Sequence, residues 1–167
     1  MVEINSIKKC YAILIIGGML LSGCAGNTVT IGQQVWMSDN VNKAMKGARC
    51  YKKSNDGKPC ADNNMVYTWE SAIHACPAGF HLPSKQDFLT LEKNRIKNKD
   101  IISFGCFGND KTSSGGFCYE TAFSAYWTSS EADKKNAFVW DVDFSYKFFE
   151  SKTDNKNEYY AVRCIQD

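Results

Sequence analysis

Eight cysteines punctuate this chain of 167 residues, and the position of two of them decides what the other six can do. Cys50, Cys60, Cys76, Cys106, Cys118 and Cys164 never approach one another more closely than ten positions. Zinc sites are built from close pairs such as C-x₂-C, so no metal is expected. The remaining use is cross-linking, which needs an oxidising compartment. A route to one stands at the N-terminus. Lys8 and Lys9 precede the apolar run at 11–21 (YAILIIGGMLL), and Ser22 and Gly23 follow it, the order of a cleavable export signal. The run is well short of the roughly 18 residues that a membrane-spanning helix requires.

Leu21-Ser22-Gly23-Cys24 resembles the lipobox of bacterial lipoproteins, in which the cysteine thiol receives a diacylglyceryl group and becomes the new N-terminus. Each buried CH₂ of such chains contributes about 0.8 kcal/mol, so two or three chains make desorption slow. The chain is therefore divided into a signal peptide at 1–23, a short lipidated tether at 24–28 and a domain at 29–167. The covalent lipid at Cys24 is the only prosthetic group expected. Ala25 in place of aspartate after the cysteine matches the sorting pattern for the outer membrane. The tether is short: four extended residues span at most about 14 Å, which holds the domain against the bilayer.

Removal of the signal takes Lys8, Lys9 and Glu3 from the 20 basic and 18 acidic side chains, leaving 18 and 17. A charge so near balance has no electrostatic footprint for nucleic acid, which is excluded as a partner. The exported part is the size of one ordinary domain. Its six cysteines allow 15 pairings. Spacing favours two local staples, Cys50 with Cys60 and Cys106 with Cys118, and one long bridge from Cys76 to Cys164.

The domain opens with an alternating, β-rich stretch at 29–37 (VTIGQQVWM), in which Gly32 marks a turn or a bulge. A polar stretch at 43–64 follows as a loop. Trp69, Ala72, Ile73 and Cys76 fall on one face of a helix that Pro77 stops. Ser84 and Asp87 form a capping box that starts a second helix, with Phe88, Leu91 and Leu89 as its buried stripe. Its basic end, from Lys93 to Lys99, reads as a solvated helix terminus. Residues 103–116 are loop-like. Phe138, Trp140, Val142 and Phe144 alternate with Val139, Asp141, Asp143 and Ser145, which predicts a strand with one buried and one mostly solvated face. After a polar hairpin loop at 151–158, a terminal strand is predicted over 159–165. Helices segregated from strands indicate an α+β fold.

Four stretches in order, TIGQQVWMSDNVN, VYTWESAIHACPAGFHLPSKQDF, FSAYWTSSE and YYAVRCIQD, together resemble the Fibrobacter succinogenes major paralogous domain. That family is similar to the C-type-lectin-like superfamily. The resemblance implies two helices, a small antiparallel sheet, a long loop region and a bridge between the first helix and the last strand, which Cys76 and Cys164 match. Phe80 stands where the family usually has tryptophan, WTSSE replaces the commoner WSS, and Cys106 and Cys118 look like additions particular to this chain.

The expectation is a non-catalytic extracytoplasmic binding or adhesion module, with polysaccharide as its ligand. Tyr126, Trp127, Phe107 and Phe117 are the candidate stacking rings in exposed loops. The alternative is a structural envelope protein that binds another protein. Calcium-dependent sugar binding of the lectin type uses Glu-Pro-Asn or Gln-Pro-Asp. The three prolines, Pro59, Pro77 and Pro83, follow neither Glu nor Gln. Formylglycine-generating enzymes share the broader fold but depend on reactive cysteines, and every exported cysteine here has an expected partner. His74 and His81 have no nucleophile placed by a motif such as G-x-S-x-G. No catalytic residue is expected.

Overall fold

The computed structural model describes residues 28–51, 65–97, 123–143 and 148–167. The first element is a hairpin of β1 (Thr28–Ile31) and β2 (Gln34–Met37), with Thr28 opposite Met37 and Ile31 opposite Gln34. Gly32 makes the turn at φ +63°, in the left-handed region that costs glycine nothing. Of the two readings of that glycine, the turn is the one realised.

A second antiparallel pair follows, β3 (Ala48–Cys50) with β4 (Met65–Tyr67). Before β3, Gly47 has φ +77° and its carbonyl accepts the Thr68 amide at 2.9 Å. A Cβ there would stand 2.1 Å from Ser71 Oγ, so this approach of loop to helix requires glycine. The helix α1 (Trp69–Ala72) is a single turn, shorter than the apolar spacing through Cys76 predicts. His74 and Ala75 bond back three residues, to Ser71 and Ala72, which tightens the chain into turns ahead of Pro77 and leaves Ile73 exposed.

After the short strand β5 (Phe80–His81) the capping box forms as expected. The Ser84 amide donates to Asp87 Oδ2 at 2.8 Å and the Asp87 amide donates to Ser84 Oγ at 3.2 Å, which starts α2 (Lys85–Lys97). Phe88 and Leu91 are buried on its inner side.

The largest sheet is β6 (Phe123–Glu131), β7 (Asn136–Asp143) and β8 (Phe148–Asn155), antiparallel in that order. Asp133 closes the β6–β7 hairpin, its Oδ1 accepting the amides of Lys135 and Asn136 at 2.7 and 2.9 Å. The Asn136 side-chain amide, donating to Oδ2 at 2.9 Å, and after it those backbone bonds hold the carboxyl below the usual range. Residues 151–155, expected in a loop, continue β8 instead.

Two side-chain clusters cover opposite faces of this sheet. Ala125, Trp127, Ala137 and Val139 meet Tyr67, Trp69, Ala72 and Val162 on one side. Tyr126, Trp140 and Val142 meet Phe88, Leu91, Trp36 and Ile31 on the other. Phe88 stacks on Trp140 with centroids 5.5 Å apart and lies 5.2 Å from Trp36. The solvated face predicted for β7 is therefore corrected: Val139 and Asp141 are buried, because α1 and the C-terminal segment cover the side that alternation assigns to water.

That C-terminal segment ties the sheets together. Tyr160 exchanges backbone bonds with Tyr67 of β4, and Ala161 bonds Ala125 and Trp127 of β6. The carbonyls of Val162 and Cys164 accept the amides of Val41 and Met37, at 2.8 and 2.9 Å. Only β9 (Ile165–Gln166) is regular strand, between β2 and β5, in place of the longer strand predicted over 159–165. Successive residues serve different neighbours, so no single ladder can form.

Candidate functional site

Of the residues singled out by sequence, the structure joins Cys76 to Cys164, with Cα atoms 5.9 Å apart, across the interior from the turn after α1 to the segment before β9. Cys50 is also disulfide-bonded. Its expected partner Cys60, the Cys106–Cys118 staple, the lipidation site Cys24 and the rings of Phe107 and Phe117 lie outside the described residues.

The placement of Tyr126 and Trp127 in an exposed loop is corrected. Both belong to β6 and both are completely buried, one on each face of the sheet. Trp127 Nε1 donates to the Tyr67 carbonyl at 2.7 Å, and its ring meets Tyr160 edge-on at 4.9 Å. Tyr126 lies against Phe88, 6.3 Å between centroids. Neither ring face is open to a ligand. A strand with both faces covered buries consecutive side chains, which one-sided alternation does not anticipate.

The aromatic surface that does face solvent is elsewhere. Tyr51 is 59% exposed, the most open large apolar side chain among the described residues. Arg49, exposed on β3, places its guanidinium 3.9 Å from the Tyr159 ring centroid. Arg49 and Tyr51 flank the disulfide-bonded Cys50, so β3 and a cross-link hold this corner in place. The Arg49–Tyr159 pair sets planar N–H donors against an aromatic ring, and Tyr51 presents a second ring to solvent two residues along the chain, group types suited to a sugar's hydroxyls and C–H face. Sequence reading passed over these residues because a tyrosine in a polar stretch carries no periodicity. The available signal was the Arg-Cys-Tyr run, an aromatic and a cation pinned by a cross-linked residue.

Interior polar groups serve the fold. Tyr67 accepts the Lys43 amide at 2.8 Å and faces the carbonyls of Val41 and Lys43, and burial pushes its hydroxyl up to about 12. Arg163, 1% exposed, donates from Nε and Nη2 to Asn40 Oδ1 at 3.0 and 2.7 Å. Burial pulls its guanidinium below the ordinary range, while the neighbouring Tyr126 and Asp39 work against that shift. Lys156 lies over the Trp69 ring and pairs with Glu131 at 2.7 Å, fastening the β6–β7 hairpin to α1.

The two histidines are surface groups. His74 is exposed, and His81 Nδ1 lies 2.7 Å from Asp167 Oδ1, with both side chains about half open to solvent or more. Among the described residues no three His, Cys, Asp or Glu side chains converge on a point where a metal could sit. Asp141 is not on a solvated face; it is 5% exposed and paired with Lys152 at 2.7 Å. No family model, curated protein or solved structure matches the chain.

Proposed function

We propose that the chain is an exported lipoprotein, anchored through lipid at Cys24 in the outer membrane of a bacterium, whose C-type-lectin-like domain binds polysaccharide without catalysis. The observation that carries the reading is the Cys76–Cys164 bridge. Such a cross-link belongs to oxidising compartments, in agreement with the export signal and the cysteine at its end. Two helices, small antiparallel sheets and a bridge between the turn after the first helix and the C-terminal segment support the lectin-like assignment.

In this reading the ligand surface is Tyr51 with the Arg49–Tyr159 pair. A stacked ring contributes about 0.5–1.5 kcal/mol beyond the area it buries, and 1.4 kcal/mol is tenfold in affinity. The full chain is therefore expected to sediment with insoluble cellulose or xylan, and Tyr51→Ala to weaken that binding about three- to tenfold. Failure of the native protein to sediment with either would reject the polysaccharide reading and favour an envelope protein that binds another protein.

A further inference from the structure

On the face of the large sheet that carries Val139, the register sets Asp141 directly opposite Glu150, and Lys152 and Asp154 follow along β8 on the same side. Asp141 Oδ2 meets Lys152 Nζ at 2.7 Å. Its other oxygen, Oδ1, is sealed from solvent and has no hydrogen-bond donor among the described residues. An ionised carboxylate with one buried oxygen unsatisfied is costly, and a proton on that oxygen removes the charge.

The surroundings add to the cost. From β8 the titratable residues on this side of the sheet are Glu150, at the opposite register position, Lys152 and Asp154; from the C-terminal segment, the Tyr160 hydroxyl donates to Asp154 Oδ2 at 2.5 Å, with Glu158 close by. The β6 residue opposite Asp141 is Ala125, which carries no charge. Asp141 thus has one ammonium, Lys152, on one oxygen and the like charge of Asp154 nearby, and its other oxygen is one that a proton can take.

We propose that Asp141 is a proton-binding site through which mild acidification stabilises the domain. The inference is independent of the ligand reading. Burial raises the carboxyl above its ordinary range, and the neighbouring Asp154 adds to the rise, while the bond and charge of Lys152 oppose it. Between the unfolded value, about 3.9 for aspartate, and the higher native value, the native state binds more protons than the unfolded chain. The free energy of unfolding then falls as pH rises through that window. Each unit of displacement changes the folding constant tenfold.

The test is urea unfolding of the detergent-solubilised full chain, disulfides intact, followed by tryptophan fluorescence at several pH values between 4 and 7.5, for the native protein and Asp141→Asn. The native midpoint is expected to gain on that of the variant as the pH falls, since asparagine cannot take up the proton. Parallel profiles, or a native midpoint that loses ground on acidification, would overturn the proposal. A carboxyl ¹³C titration of Asp141 in the folded native protein gives a second reading should the variant fold poorly. A midpoint at or below the ordinary aspartate value would contradict the assignment, and one above it would support it.

Discussion

Replacing the bridged pair as Cys76→Ser with Cys164→Ala is expected to lower the stability of the domain by about 2–5 kcal/mol. The bridge joins residues 88 positions apart. In the chain-entropy account a loop of that size sits near the upper end of the range. Alanine is the fitting replacement for Cys164, which is wholly buried, and serine for the partly exposed Cys76. The loss should be global, because the residues around Cys164 bond β2, β4, β5 and β6 in turn. Urea unfolding measures the size of the effect. Hydrogen exchange reports its extent: the amides of Met37, Val41 and Trp127, which donate to the C-terminal segment, should lose protection together. A variant whose midpoint stays within the error of the native one would show that the segment is held without the cross-link.

Trp127→Ala is expected to cost about 3–5 kcal/mol, the range for deleting a large aromatic from a packed core. Its ring is fully buried between Tyr67 and Tyr160, and its Nε1 is the donor to the Tyr67 carbonyl. Trp127→Phe keeps much of the volume and removes that donor, while the Tyr67 carbonyl still accepts the Tyr160 amide, so its cost should be smaller, about 0.5–1.5 kcal/mol for the lost hydrogen bond. Tyr51→Ala, on the surface, should change stability by no more than about 0.5 kcal/mol. The same urea titration on all three separates a structural ring from an exposed one. A Trp127→Ala protein of near-native stability would contradict the placement of this ring in the core.

The contrast between Trp127 and Tyr51 shows where the chain can be read from its residues and where it cannot. Local signals with a fixed geometry were legible: Gly32 at its turn, Ser84 and Asp87 as the capping box, Phe88 and Leu91 as the inner stripe of α2, and the long bridge. The failures share a cause. Whether Asp141 meets water, whether Tyr126 and Trp127 can both be buried, and whether 159–165 forms one ladder are all decided by what packs from distant parts of the chain. Alternation describes a strand with one neighbour. Here α2 covers one side of β6 and β7, and α1 with the C-terminal segment covers the other. The contact of Arg49 with Tyr159 joins two positions that only the pairing of β3 with β4, and of Tyr67 with Tyr160, brings together.

Among the described residues the buried polar side chains are tied into the fold, Arg163 to Asn40 and Asp141 to Lys152, while the Arg49 guanidinium over Tyr159 faces outward.

Protease digestion of intact cells, with membrane fractionation of the native chain and Cys24→Ala, tests the central proposal most directly. The account predicts that the native protein fractionates with the outer membrane and that Cys24→Ala loses its membrane attachment; a polysaccharide outside the cell as ligand further requires that the native protein be cut on intact cells. A Cys24→Ala protein that stays membrane-bound would contradict lipid anchoring at that residue, and protection of the native chain until the outer membrane is broken would contradict an outward-facing polysaccharide-binding role.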